Sequence, residues 1–237
     1  MEKGYKNIVV LFIAITVVVL IGFYNTYFAF FPGFEKFKAL HHIHAFVMML
    51  WLAILIVQPM LINKRKYKWH RVVGKFSYFL VPIIIVTMFL AYKNSYLTAE
   101  LNGEPHAQNL SLIFMPLTDI FPFAAFYILA IINKKNVVKH LRYMISTALV
   151  VVIAGLVRIF LISFHFDFMP AIFISSIIVV LIFVSFILYD FRKGMQLKSN
   201  PFVTALIVFS IPNILLGFVP KTSIWQSFAD GIVKAIF

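Results

Sequence analysis

Seven long apolar stretches constrain the fold of this chain more than any other feature of its sequence. Each comes close to or exceeds the roughly 20 apolar residues that a helix needs to cross the hydrocarbon core of a bilayer. They cover residues 8–30, 39–62, 72–92, 110–132, 141–164, 169–189 and 202–219. Only 12% of the residues are charged, whereas a soluble protein carries about 25%. The sequence therefore predicts an all-α, polytopic membrane protein built as a bundle of seven transmembrane helices.

Residues 1–237 are expected to form a single domain, because no Gly/Ser-rich linker, internal repeat or soluble module interrupts the apolar pattern. The first stretch follows a short basic start, as a signal peptide would. It is longer than a signal-peptide core and no A-x-A-like cleavage site follows it, so we interpret it as a span. The absence of cysteine excludes disulfides, thiolate metal sites and iron–sulfur clusters.

The distribution of lysine and arginine predicts the orientation of the bundle. Cytoplasmic loops of membrane proteins are enriched in these residues. If the N-terminus is cytoplasmic, 15 of the 21 lysines and arginines lie on the cytoplasmic side, 5 lie outside, and Arg158 lies within the fifth span. We therefore expect a multi-pass protein of the inner (cytoplasmic) membrane with an external C-terminus. This topology also accounts for the net charge of +13 without a nucleic-acid partner.

The segment after the last apolar stretch, "KTSIWQSFADGIVKAIF", has apolar residues at helical spacing. They are Ile224, Phe228, Ile232 and Ile236. This spacing is typical of an amphipathic helix that lies in a membrane interface. We expect a short helix on the external surface, with a frayed terminus as the alternative.

Histidines occur at the ends of several predicted spans. On the external side are His41, His42, His44, His106 and His165, and on the cytoplasmic side are His70 and His140. Any one of them can be an interfacial residue that faces water or lipid phosphate. Two charged residues are harder to explain in this way, because a charge at membrane depth costs several kcal/mol unless it is paired. These are Asp119 and Arg158, which could pair with each other or belong to a functional site.

One arrangement of these residues suits b-type haem, which needs two axial imidazoles on facing helices and cations for its propionates. The predicted haem-binding residues belong to a core at about residues 39–165. An external pair is His44 and His106, with His41 or His165 as substitutes for His106, and a cytoplasmic pair is His70 and His140. Arg158 would meet an external propionate, Arg71 or Arg142 a cytoplasmic one, and Gly74 would leave room for the macrocycle.

Two haems held in this way would carry electrons across the membrane, from a quinone or a cytosolic donor to an external acceptor. The chain would then be a membrane electron-transport protein and could act as a membrane oxidoreductase. Two other functions stay open. The first is a non-haem zinc, iron or copper site on the external face, made from His41, His44, His165, Asp119 and Asp167. The second is an accessory or assembly subunit of a membrane complex that has no site of its own.

Two segments resemble the signatures of a bacterial integral-membrane family of unknown function. "HHIHAFVMMLWLAILIVQPMLINKRKYKWHRVVGKFSY" resembles its opening signature, a histidine at the start of one helix, a basic loop and then H-R-x-x-G-[KR]-x-[SY]. "KHLRYMISTALVVVIAGLVRIF" resembles its H-x-R-x-M signature with an arginine deeper in the helix. The resemblance covers spans two to five. It implies one shared site made from His44, His70, Arg71, Gly74, His140, Arg142, Met144 and Arg158.

The chain is more loosely similar to the transmembrane dihaem cytochromes b that act as ascorbate or ferric reductases. In those proteins too, a histidine precedes a helix that contains methionine and tryptophan, and a second histidine follows a basic loop. This similarity implies one haem near each membrane face. The present chain differs in a shorter spacing between its first two histidines and in having no histidine within its fourth span.

The predicted topology can be tested with reporters fused at two positions. Alkaline phosphatase, which is active only outside the cytoplasm, should be active after Phe237 and inactive after Lys198. Green fluorescent protein, which fluoresces in the cytoplasm, should give the reverse result. Bright fluorescence after Phe237 would contradict an odd number of spans.

Overall fold

The computed structural model describes residues 2–33, 35 and 37–237, with side chains from Lys6 onward. The described part of the chain is helical and contains no β-strand. The ten α-helices are α1 (Glu2–Tyr24), α2 (Ala39–Asn63), α3 (Tyr67–Leu101), α4 (His106–Leu112), α5 (Met115–Thr118), α6 (Ile120–Ile132), α7 (Val137–Ser163), α8 (Phe168–Arg192), α9 (Pro201–Leu215) and α10 (Ser223–Ile236). Short 3₁₀ turns lie at Phe28–Phe30, Leu197–Ser199 and Val219–Lys221.

Seven segments of this fold are long and apolar enough to cross a membrane, which confirms the predicted number of spans. They are Lys6–Tyr24, Ala39–Asn63, Tyr67–Leu101, His106–Ile132, Val137–Ser163, Phe168–Arg192 and Pro201–Lys221. The protein is therefore a multi-pass membrane protein with an all-α bundle. The fourth span is not one helix but consists of α4, α5 and α6 in succession.

Short connections make consecutive spans alternate in direction, so the bundle has two distinct ends. We call one the basic end. It contains the start of α1 and the α2–α3, α6–α7 and α8–α9 connections. Its cations are Lys6, Lys64, Arg65, Lys66, Lys68, Arg71, Lys75, Lys134, Lys135, Lys139, Arg142, Arg192, Lys193 and Lys198. We call the other the cap end, because α10 lies there.

The ends of two predicted spans differ most from the structure. The first ends at Tyr24 rather than at residue 30, because the chain turns there and forms the 3₁₀ turn at Phe28–Phe30. The third continues to Leu101 rather than to residue 92. At about 1.5 Å per residue, α3 is ~52 Å long, whereas the hydrocarbon core is ~30 Å thick. The last turns of α3 therefore extend beyond the bilayer at the cap end.

The fifth span, α7, lies at the centre of the bundle and packs against α1, α6, α8 and α9. Every residue from Ile145 to Val152 is buried, as expected for a helix that is apolar on all sides. The two hydroxyl groups within this run bond to the backbone of their own helix. Ser146 donates to the carbonyl of Arg142 at 2.9 Å, and Thr147 to that of Met144 at 2.7 Å. No polar atom of this run therefore needs a partner from a neighbouring helix.

Helices α2, α3, α6 and α7 surround a cluster of large buried side chains. α2 packs against α3, and α6 lies between α3 and α7. The rings of Trp51, Phe123 and Phe126 are fully buried here, together with Leu55 and Ile84. α3 and α7, which carry His70 and His140, thus both pack against α6.

α1 and α7 approach each other closely through two glycines. A Cβ atom on Gly22 would lie 2.2 Å from the carbonyl oxygen of Gly155. A Cβ atom on Gly155 would lie 2.8 Å from the Cα atom of Val19. Small residues at helix interfaces allow backbones to approach in this way, and van der Waals packing then holds the helices together in lipid.

At the cap end, α10 packs against α4 and the end of α3. Ala229 is buried, and the Trp225 ring lies 4.9 Å from the Phe114 ring. The carbonyl of Ile236 accepts a hydrogen bond of 2.7 Å from the Lys93 ammonium. The expected terminal helix is therefore present. It is docked on the bundle through one side, while Ile224 on its other side is exposed.

We expect Gly22→Ala to destabilise the protein, because the new methyl group would collide with the backbone of α7. Overpacking of this kind costs about 1–3 kcal/mol, so the midpoint of thermal unfolding in detergent should fall. Gly231→Ala is the matched control. A Cβ atom at Gly231 meets no atom within 4 Å, and alanine is favoured over glycine in a helix by about 1 kcal/mol. A Gly22→Ala variant as stable as the control would contradict the close contact.

Candidate functional site

His70 and His140 lie in the first turns of α3 and α7, at the basic end of the bundle. The Nδ1 atom of His140 is 2.9 Å from the backbone carbonyl oxygen of Ala130 on α6. A carbonyl only accepts hydrogen bonds, so the imidazole donates from Nδ1 and its Nε2 atom is available to a ligand. An imidazole fixed in this way is typical of metal ligands, whose second nitrogen usually donates to a carbonyl or carboxylate.

His70 has a polar atom that no other residue described in the structure satisfies. Its Nδ1 atom is buried and has no hydrogen-bond partner among these residues. The neighbouring Gln58 side chain donates from Nε2 to the His70 carbonyl at 3.2 Å, and its Oε1 atom is also buried without a partner. A buried polar atom without a partner costs about 1–3 kcal/mol. Two such atoms side by side mark a place where a further group belongs.

The space beside Gly74 is smaller than its sequence position indicates. A Cβ atom on Gly74 would lie 3.5 Å from Nε2 of Gln58, so the amide of Gln58 occupies the room expected for a macrocycle. Ser77, one turn further along α3, donates to the Gly74 carbonyl at 2.6 Å and lies 2.8 Å from the Tyr127 hydroxyl. A haem could therefore enter beside Gly74 only if the Gln58 side chain rotated away.

The two arginines that were predicted to meet a propionate at this end have different surroundings. Arg142 is bound to Asp190 on α8 by two hydrogen bonds, 2.6 Å from Nε and 2.5 Å from Nη2. Arg71 is exposed and makes no ion pair among the described residues. Arg71 is thus the more accessible cation, whereas a propionate could reach Arg142 only by displacing Asp190. Asp190 did not emerge from the sequence, because it follows the sixth apolar stretch directly and resembles an ordinary loop residue.

The predicted external haem ligands are not brought together. The Nδ1 atom of His44 lies 3.1 Å from the Thr87 hydroxyl. His106 lies at the start of α4, with its side chain 55% exposed, and its Nδ1 atom is 2.9 Å from Glu100. Thr87 and Glu100 are 13 residues apart in α3, which corresponds to ~20 Å along the helix. The two imidazoles therefore contact α3 at different levels and do not face each other.

Asp119 and Arg158 also have separate partners. Asp119 lies at the break between α5 and α6, where its carboxylate accepts hydrogen bonds from the Tyr92 hydroxyl and, at 2.5 Å, from the Ile120 amide. Arg158 donates to the Ala154 carbonyl at 2.9 Å and lies 3.9 Å above the ring of Phe23. No carboxylate of the described residues is within 4.0 Å of Arg158. The ion pair considered from the sequence is therefore not formed.

The residues of the predicted metal site are likewise dispersed. His41 accepts a hydrogen bond from the backbone of Lys38 at the start of α2. His165 and Asp167 lie in the exposed connection before α8. In the described ranges, no group of three or more histidines and acidic residues is arranged to hold a metal ion. His41, His44, His165, Asp119 and Asp167 thus form no common site.

Two surface cavities lie outside the predicted sites. The larger, about 420 Å³, is at the cap end. It is lined by polar residues together with Ala99, Glu104 and Leu112, and the polar ones are Asn94, Ser95, Thr98, Asn102, Gln108 and Asn109. The smaller, about 240 Å³, is at the basic end between α1 and α2. No sequence motif predicts either cavity.

Comparison with protein-family models, curated proteins and solved structures finds no match to this chain. The resemblance to a bacterial membrane family and the similarity to dihaem cytochromes b therefore stay predictions.

We expect the Arg142–Asp190 pair to contribute strongly to stability, because its side chains are only 17% and 6% exposed. Removal of one partner of a buried ion pair costs about 3–5 kcal/mol. Arg142→Met and Asp190→Leu should therefore each lower the free energy of unfolding markedly, and the double variant should recover part of the loss.

The exposed pair Lys234–Asp230 provides the control for this double-mutant cycle, since the Lys234 side chain is 73% exposed. Its removal should change stability by less than about 1 kcal/mol. Strictly additive losses at Arg142 and Asp190 would show that the pair makes no direct contribution.

Proposed function

We propose that the protein is a membrane-embedded electron-transfer protein that binds one b-type haem between His70 and His140. The observation that carries the proposal is the pair of imidazoles in the first turns of α3 and α7, two helices that both pack against α6. One has its Nδ1 fixed by a backbone carbonyl, and the other has a buried Nδ1 without a partner among the described residues. A bis-imidazole site needs two such rings, each with one nitrogen available for iron.

The residues around His70 and His140 fit a haem in part. Arg71 supplies an exposed cation for a propionate, and the buried Gln58 Oε1 lacks a partner in the described structure. The Gln58 side chain would leave the space beside Gly74 when haem binds. When bound, haem supplies reversible one-electron transfer. The Ala130 carbonyl orients the His140 imidazole, and the Gln58 amide contacts the backbone at His70.

The position of this site indicates where electrons would enter or leave. We place the protein in the cytoplasmic membrane with its basic end toward the cytoplasm, following the distribution of lysine and arginine. A haem at that end would exchange electrons with a quinone or with a cytosolic redox protein. The geometry lends no support to a second haem between His44 and His106, so we propose a single site.

Optical spectroscopy of the purified protein tests this proposal directly. Protein expressed with haem supplied should be red and should show a bis-imidazole Soret band that sharpens on reduction with dithionite. His70→Ala and His140→Ala should each remove at least half of the bound haem. His165→Asn is the control, because His165 has a φ of 54° and asparagine tolerates that region. It should leave the spectrum unchanged.

Two further variants distinguish a haem cleft from a loss of folding. Gln58→Ala should preserve or raise haem occupancy, because it clears the space beside Gly74. Gly74→Leu should abolish binding although both histidines remain. A colourless wild-type protein under these conditions would exclude the proposal, and metal analysis would then be the next measurement.

A further inference from the structure

A cavity at the basic end opens between the start of α1 and the end of α2. Its volume is about 240 Å³, and it is lined by Lys6, Val9, Met60, Asn63 and Lys64. Lys6 and Val9 belong to the first turns of the first span, and the other three residues belong to the last turn of α2 and its C-cap. The cavity therefore lies where the two helices meet the predicted cytoplasmic face of the bilayer.

The charges around this cavity are of one sign. Lys6 and Lys64 carry ammonium groups, Asn63 adds an amide, and no acidic residue is part of the lining. Neither lysine makes an ion pair with any residue that the structure describes. Two neighbouring cations without a carboxylate partner favour an anion between them.

Apolar side chains continue the cavity toward the middle of the membrane. Val9 and Met60 form its walls. Val57 lies one turn further along α2, and Ile13 lies one turn further along α1, on the same helix faces. Both are exposed in the isolated chain, 38% for Val57 and 44% for Ile13. We call the cavity together with Val57 and Ile13 the groove. Its cytoplasmic opening carries the two lysines, and its apolar floor is formed by Val9, Ile13, Val57 and Met60.

We propose that this groove binds an anionic phospholipid, with its phosphate between Lys6 and Lys64 and an acyl chain along Val57 and Ile13. Basic pockets between transmembrane helices on the cytoplasmic side are known to hold lipid head groups of this charge. The apolar floor favours a lipid over free phosphate, because only an amphiphile contacts both parts of the groove. The inference is independent of haem binding at His70 and His140.

Native mass spectrometry of protein taken from nanodiscs tests the proposal. The nanodiscs contain equal amounts of phosphatidylglycerol and phosphatidylcholine. Wild-type protein should retain phosphatidylglycerol at least tenfold over phosphatidylcholine. The variant Lys6→Gln/Lys64→Gln should lose most of this preference. The control Lys193→Gln/Lys198→Gln removes the same charge at the same end but away from the groove, and it should keep the preference.

Two more measurements separate a built site from general surface charge. Met60→Trp fills the cavity without a change of charge and should also reduce retention of phosphatidylglycerol. Inorganic phosphate at millimolar concentration should not displace the lipid. General charge attraction would instead lower retention equally in Lys6→Gln/Lys64→Gln and Lys193→Gln/Lys198→Gln and leave Met60→Trp unaffected. That result would overturn the proposal, as would full retention by Lys6→Gln/Lys64→Gln or efficient displacement by phosphate. Unchanged unfolding midpoints in phosphatidylcholine nanodiscs would show that each variant is folded.

Discussion

The burial of the middle of α7 determines where the ionisable side chains of this helix lie. The run from Ile145 to Val152 is buried, and its two hydroxyl groups bond to the backbone of their own helix. The histidine and the arginines of α7 are therefore confined to its two ends. His140 and Arg142 lie at one end and Arg158 near the other. Helix α6 places the Ala130 carbonyl against His140, and α8 places Asp190 against Arg142. Helix α1 places the ring of Phe23 against Arg158. The local environment of each is thus a consequence of the central position of α7.

The number of spans could be predicted because hydrophobic length is a property of each segment alone. Span boundaries were less predictable. The end of α3 is polar enough to resemble a loop, yet it is helical, and α4 and α10 pack against it. Pro116 and Pro122 indicate a bend in the fourth span, but they do not predict that the helix breaks at Asp119 between them. Irregular backbone at membrane depth requires burial within protein, and burial depends on neighbours that the sequence does not identify.

The candidate site was predictable only in outline. His70 and His140 could be paired from helix direction, since α3 and α7 both begin at the basic end. His44 and His106 could not be excluded as a pair, because the height of His106 depends on the length of α3. The occupation of the space beside Gly74 by Gln58 was also hidden, since it requires the rotation of α2 relative to α3. The height of His106 and the rotation of α2 depend on how the helices pack in the folded protein, so no local sequence pattern predicts them.

The cap that α10 forms with α3 and α4 has a consequence for the order of biogenesis. Tyr96, Leu110 and Ala229 form a small core that is separate from the core of the bundle. Tyr96 precedes four later spans in the chain, Leu110 lies in the first of those four, and Ala229 follows the seventh span. The last turns of α3 therefore lack their final partner until the seventh span has been inserted. Closure of this small core can only follow that insertion step.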